Sequence, residues 1–226
     1  MSKHLERDLD NLRRDILSLA GSVEEAIYKA IQALQSRDRA LAQQVIMGDD
    51  PIDSQENRIE EECLKVLALH QPVAVDLRQV ATVLLVNADL ERIADLAGNI
   101  AERAVALARW PALPIPADLQ RMTDLAGSMV RQAIEAFVNL DAKRARLVCR
   151  LDDEMDRYNK RIGGELIKLM QQSPETVEPG LSFFSATRQL ERVADHAINI
   201  AEDVLYLVGG QIVRHRPGAV RDADAT

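Results

Sequence analysis

Between Leu5 and Met47 the apolar positions Ile16, Leu19, Ala20, Val23, Ala26, Ile27, Ala30, Ile31 and Leu34 recur every three or four residues, with no proline and with Gly21 as the one glycine. That spacing lines one face of an α-helix and predicts a very long first helix. Gly48–Asp49–Asp50–Pro51 ends it and opens a second, with Asp49 or Asp50 as cap and Pro51 in the first turn. The second helix runs to about Leu69. His70–Gln71–Pro72 breaks the chain, and a third helix spans about Val75 to Arg109, with Asp76 as its cap. Pro111, Pro114 and Pro116 then stop any helix and make a stiff linker.

The plan repeats. Helices are predicted from Asp118 to Leu151, from Asp152 to Gln172 and, after the Ser173–Pro174 break, from Val177 to Val208, with Gly209–Gly210 as the final cap. The repeat is also literal. Leu90–Glu91–Arg92–Ile93–Ala94–Asp95–Leu96–Ala97–Gly98–Asn99–Ile100–Ala101–Glu102 returns as Leu190–Glu191–Arg192–Val193–Ala194–Asp195–His196–Ala197–Ile198–Asn199–Ile200–Ala201–Glu202. Asp49 and Asp53 return as Asp152 and Asp156, Asp38 as Asp141, and Val45 as Val148. A duplicated unit follows. The fold class is all-α, two tandem three-helix bundles from an internal duplication. The expected division is a first bundle over 1–110, a Pro-rich linker over 111–117, a second bundle over 118–210 and a disordered tail over 211–226.

The duplicated segments carry acids at i, i+4 spacing: Asp49/Asp53 and Glu91/Asp95 in the first half, Asp152/Asp156 and Glu191/Asp195 in the second. Like charges so placed weaken a helix by about 0.2–0.5 kcal/mol. The two pairs of the first half are equidistant from Pro72, and those of the second nearly so from Pro174. Helices joined by a short turn run antiparallel, so the pairs of each half lie level. Their faces continue through Leu77, Val80 and Leu84, through Leu64 and Leu67, and in the second half through Val177, Leu181, Phe184, Ile167 and Met170, which argues against a purely solvated position. Four carboxylates gathered in this way must protonate, pair with a cation such as Arg92 or Arg192, or bind metal. Oxygen-only ligation suits hard cations. Asn99, Glu102, Asn199 and Glu202 lie on the same side and are candidates for backing the ligands by hydrogen bonds. His196 has no partner in the first repeat and reads as a local packing residue or a backing group.

Composition narrows the alternatives. Aromatics are only 3% of the chain against 47% hydrophobic residues, so the core is built of Leu, Ile, Val and Ala. The net charge of −8 lacks the basic stripe of a nucleic-acid binder, so no direct nucleic-acid contact is expected. Cys63 and Cys149 lack metal-ligand spacing and read as small hydrophobes in a reducing compartment. No apolar run is long enough for a membrane span, and Met1–Asp15 lacks a signal peptide's apolar centre. A cytoplasmic protein is expected. No phosphate-cradling Gly-rich loop, nucleophile elbow or Cys–His pair is present.

Gln71–Pro72–Val73–Ala74–Val75–Asp76–Leu77–Arg78, Asp89–Leu90–Glu91–Arg92–Ile93–Ala94–Asp95 and Glu191–Arg192–Val193–Ala194–Asp195–His196–Ala197–Ile198–Asn199–Ile200–Ala201–Glu202 together resemble the PhoU family of phosphate-transport accessory proteins. The likeness extends from about Leu5 to Val213. It implies two tandem three-helix bundles whose E/D-x-x-x-D motifs carry multinuclear iron or another hard di- or trivalent cation; the matching positions are Asp49/Asp53, Glu91/Asp95, Asp152/Asp156 and Glu191/Asp195. It implies a non-enzymatic negative regulator of phosphate uptake. The implied partners are the Pst ABC transporter and the PhoR-type histidine kinase with PhoB, engaged by a homodimer peripheral to the inner membrane. Ala94 and Ala194 stand where many members have Gly, and the second half lacks the Gln–Pro–Val–Ala–Val–Asp–Leu–Arg segment. The alternative from a different class is a carboxylate-bridged metalloenzyme, an oxidase or phosphohydrolase.

Overall fold

The computed structural model describes residues 3–110 and 112–210. The predicted tail, 211–226, and Pro111 lie outside the described residues. The described residues form helices and no strand: α1 (Lys3–Ser36), α2 (Arg39–Met47), α3 (Asp49–His70), α4 (Ala74–Leu107), α5 (Leu119–Asn139), α6 (Ala142–Arg150), α7 (Asp152–Gln172) and α8 (Val177–Gly209). A single 3₁₀ turn, Pro174–Thr176, leads into α8. None of these helices is long and apolar enough to cross a membrane.

The first long helix of each half is broken in two, where one continuous helix was expected. Arg37 and Leu140 adopt left-handed backbone, φ 57° and 51°. Behind them Asp38 accepts from the backbone N–H groups of Ala40 and Leu41, and Asp141 from those of Lys143 and Arg144. Each Asp therefore caps a fresh short helix. At the first break the guanidinium of Arg37 donates to the carbonyls of Leu107 and Trp110 at the end of α4. The same residue that leaves α1 thus satisfies acceptors orphaned by another helix. Two expected caps fall elsewhere. Gly48 precedes α3, with Asp49 and Asp50 in its first turn, and Val73 precedes α4, with Asp76 inside it. Gly210 does close α8 in left-handed backbone, φ 69°, its N–H bonded to Tyr206.

The heptad-like stripe read on α1 is core: Ile16, Leu19, Val23, Ile27, Ala30, Ile31 and Leu34 are all buried. They belong to one continuous apolar cluster that runs through both halves. The halves meet chiefly along α4 and α8, with α5 also against α1. The α4–α8 pair is antiparallel. Asp89 contacts His196 and Asn199, while Arg78, near the start of α4, lies beside Gly210 at the end of α8.

Candidate metal centres

The sharp turns at Gly48 and Leu151 start α3 and α7 with acids, where the helix dipole favours negative charge. Asp49, Asp53 and Glu56 then fall on one stripe of α3. Asn87, Glu91, Asp95 and Asn99 fall on one stripe of α4. The two helices are antiparallel across the Gln71 turn, so the stripes face each other.

Their electrostatics record the meeting. The Asp49 carboxyl is pushed above its ordinary value by burial first, then by Asp53, by Asp95 across the cleft and by Asp50. Glu91 is pushed up by burial, then Asp95, against the opposing pull of Arg92, with Asp53 and Glu56 adding to the rise. An open cleft of about 310 Å³ is lined by Ile46, Asp49, Asp95, Gly98, Asn99 and Glu102. The sequence-predicted Asn99 and Glu102 therefore line the same cleft as Asp49 and Asp95. Arg92 lies over the acids, 3.1 Å from Asp95 Oδ2 and 3.4 Å from Glu91 Oε2.

The second half has the same frame. Asp152 is raised by burial, then Asp156, Asp195, Asp153 and Glu191. Asp195 is raised by partial desolvation, partly offset by His196, Arg188 and Arg192, with Asp156 adding to the rise. Its counter-charges differ. Arg188 pairs with Glu191, and Lys160 lies 3.1 Å from Asp156, while Arg192 turns to Gln189. Cys149, at the place of Ile46, sits beside Glu202 and Asp152. Burial, then Glu202 and Asp152, push its thiol up to about 12, against a small pull from its own backbone. It is a neutral thiol at physiological pH.

Two residues have a role the sequence did not suggest. His196 Nδ1 and Asn199 Nδ2 both contact Asp89 Oδ1, at 2.8 and 3.3 Å, across the seam between the halves. Asn199 thus spends its amide on α4, unlike Asn99. The apolar neighbours of the acids also differ from expectation. Val80 is buried, but Leu64, Leu77, Ile167 and Leu181 are each about half exposed, at 54%, 44%, 48% and 49%. The acid stripes run along the shoulder of each helix hairpin, at the edge of the core.

The donor set, carboxylate oxygens with amide oxygens nearby, fits a hard cation. As the side chains stand, no three Asp, Glu, His or Cys among the described residues converge tightly enough to hold an ion. To hold an ion these carboxylates would have to change rotamer, a motion open to surface side chains. Asp49, Asp53, Glu91 and Asp95 would hold the first ion or cluster, and Asp152, Asp156, Glu191 and Asp195 the second.

A family model, the PhoU domain, matches residues 16–104 and again 119–204. A phosphate-specific transport system accessory protein PhoU homolog of Pseudomonas aeruginosa is 38% identical over 216 residues, covering 95% of this chain and 89% of the relative. The homolog of Deinococcus radiodurans is 37% identical over 210 residues, 93% of this chain and 99% of the relative. Among solved structures, PhoU from Pseudomonas aeruginosa matches with a TM-score of 0.87 at 38% identity, over 91% of this chain and 99% of that one. The phosphate transport system regulatory protein PhoU from Streptococcus pneumoniae matches with a TM-score of 0.86 at 31% identity, over 92% and 99%. With the domain found twice and the likeness running the length of the chain, this protein belongs to the PhoU family.

Proposed function

We propose that this chain is a negative regulator of phosphate uptake and of phosphate-starvation signalling, a metal-binding adaptor between the Pst transporter and the PhoR–PhoB pair. The observation that carries the reading is full-length similarity to proteins named as accessory to phosphate-specific transport. The facing acid stripes, present in both halves, support the metal-binding part. The reading places the chain in the cytoplasm as a homodimer, peripheral to the inner membrane through its partners and without enzymatic activity. A bound di- or trivalent cation, iron in a multinuclear cluster or another hard ion, supplies positive charge that offsets the crowded carboxylates. The chain's own part is to keep those acids level on paired helices and to offer long polar helix faces to partner proteins.

The test is a deletion strain carrying a phosphate-starvation promoter fused to a reporter, grown in high phosphate. Derepression and excess phosphate uptake are expected, reversed by the wild-type chain. Full repression in the deletion strain, with no second homologue present, would sink the regulatory reading. Metal analysis of the purified protein under reducing and oxidising conditions tests the other part, and absence of any bound cation in both refutes it.

A further inference from the structure

Besides the acids, the two hairpins repeat an apolar feature nearer their turns. Leu64 of α3 and Leu77 of α4 are exposed, and so are Ile167 of α7 and Val177 of α8 at the equivalent positions, each between 36% and 54%. Leu67 and Leu84 beside the first pair correspond to Met170 and Phe184 beside the second, and Leu181 widens the second patch where the first has Ala81. Each hairpin therefore carries an aliphatic strip on its shoulder that the core does not cover. α4 and α8 lie side by side with α1 and α5 behind them, so both strips open toward one broad side of the molecule, at opposite ends of it.

The charges around the two strips are opposite. From Ser54 to Leu69, α3 carries four acids, Glu56, Glu60, Glu61 and Glu62, against two cations, Arg58 and Lys65. The equivalent stretch of α7, Arg157 to Gln172, carries four cations, Arg157, Lys160, Arg161 and Lys168, against one acid, Glu165. The exchanges that reverse the sign are Ser54 to Arg157, Glu56 to Asn159, Asn57 to Lys160, Glu60 to Gly163 and Glu61 to Gly164. Among the described residues no ion pair engages Glu60, Glu61 or Lys168. Lys160 reaches Asp156 and Arg161 reaches Asp118, yet 76% and 56% of those two side chains stay exposed. An exposed apolar strip rimmed by charge is the surface of a protein contact.

We propose that this chain pairs with a second copy of itself through these shoulders, the acid-rimmed strip of the first hairpin in one copy lying on the cation-rimmed strip of the second hairpin in the other. This rests on the homodimer reading above and assigns it a surface. Charge complementarity selects the occupant: each shoulder repels its own kind and attracts the other, and this one chain carries both. Within a single copy the two cannot meet, because α4 and α8 lie between them. The pairing is reciprocal. A two-fold axis that lays the first shoulder of one copy on the second shoulder of its partner also lays the second on the first, so both faces are used and the assembly closes at two. Leu64 and Leu77 meet Ile167, Leu181 and Phe184 at the centre of each contact. Glu60 and Glu61 meet Lys160 and Lys168 at the rim, where ion pairs fix partner and register more than they add affinity.

The experiment is sedimentation velocity of the full chain over a wide range of concentration, in chelator so that no metal bridges carboxylates of two copies. A dimer and nothing larger is expected. Glu60→Lys with Glu61→Lys puts cations on both shoulders, and Lys160→Glu with Lys168→Glu puts acids on both. Each pair of substitutions should weaken self-association roughly tenfold or more, because like charges then face each other in both contacts. All eight positions are on exposed helix faces across the two copies, so circular dichroism should show each variant folded. Mixing the two variants should restore a dimer that contains one of each, and so should all four substitutions placed in one chain. A wild-type dimer whose affinity neither pair of substitutions moves, or variants that stay apart when mixed, overturns the proposed surface while leaving the homodimer reading. Species that keep growing with concentration overturn the closed two-fold pairing. A wild-type chain that stays monomeric at every concentration overturns the proposal together with the homodimer reading.

Discussion

Asp89 joins the two halves by polar contact at the seam, and its removal has a size that can be worked out. The side chain is 11% exposed and accepts from His196 and Asn199 of α8. Asp89→Ala deletes the acceptor and leaves two half-buried donors facing a small void. Leaving a buried donor unsatisfied costs about 1–3 kcal/mol. Because water reaches part of this seam, the whole change is expected within that same range, about 1–3 kcal/mol. For a chain of this length each kcal/mol moves the melting temperature by about 2–4 °C, so a fall of roughly 2–12 °C is expected by calorimetry at neutral pH. Asp89→Asn keeps one acceptor oxygen and should lose less. A double-mutant cycle of Asp89→Ala with His196→Ala should give a coupling of at least about 0.5 kcal/mol, because the residues touch. A fall below about 1 °C, with the two substitutions simply additive, would show that apolar packing alone holds α4 to α8.

Two further outcomes can be checked on the same instruments. Asp49, Glu91, Asp152 and Asp195 are all raised above their ordinary values, so between the ordinary and the raised values the folded chain holds more protons than the unfolded one, and stability falls as pH rises through that window. In chelator, Asp49→Asn with Asp152→Asn should therefore stabilise at pH 7 and lose that advantage near pH 4 in urea unfolding; a pH-independent difference would count against it. Gly164→Ala, in the middle of α7 with nothing within 4 Å of the added carbon, should raise stability by about 0.5–1 kcal/mol through helix propensity alone, and a loss would mean that α7 is bent or strained there.

Much of the architecture was legible because the helices are long and the repeat is literal. A stripe such as Ile16–Leu19–Val23–Ile27 leaves few choices, and the Asp152 start of α7 and the Gly210 cap follow from local chemistry. The breaks after α1 and α5 were missed because no glycine or proline marks them. Arg37 and Leu140 take left-handed backbone at some cost, and at Arg37 the compensation is tertiary, from carbonyls at the far end of α4. The capping signal was present in Asp38 and Asp141, but a continuous apolar period outweighed it. The level meeting of the acid pairs was readable from their distances to the turns. Their shoulder position was not, because angular position on a helix does not say how far a neighbouring helix extends over it. The Asp89 seam needed the packing of the two halves, which no local pattern encodes.

The duplicated frame explains why the two halves could diverge where they did. Several core positions changed only within apolar limits: Val45 corresponds to Val148, Ile59 to Ile162, Ile52 to Met155, Cys63 to Leu166 and Val83 to Phe183, all buried. A close-packed interior tolerates exchanges of shape but not of polarity. The four acids of each half are also kept, although carboxylates on half-exposed helix faces have no packing duty to perform. Around them the neighbours changed more freely, from Ile46 to Cys149 and Glu56 to Asn159 among the half-buried ones and from Asn87 to Thr187 and Leu96 to His196 among the buried ones. Retention at a position that packing does not restrain, repeated twice within one chain, needs another cause. Mutual repulsion makes the acids a standing cost to the fold, and the metal-binding reading proposed above would supply a cause that offsets it in both halves. The altered rim gives each acid cluster its own surroundings, while α8, which carries Glu191 and Asp195 on one face and His196 on the seam, ties the second cluster mechanically to the first half.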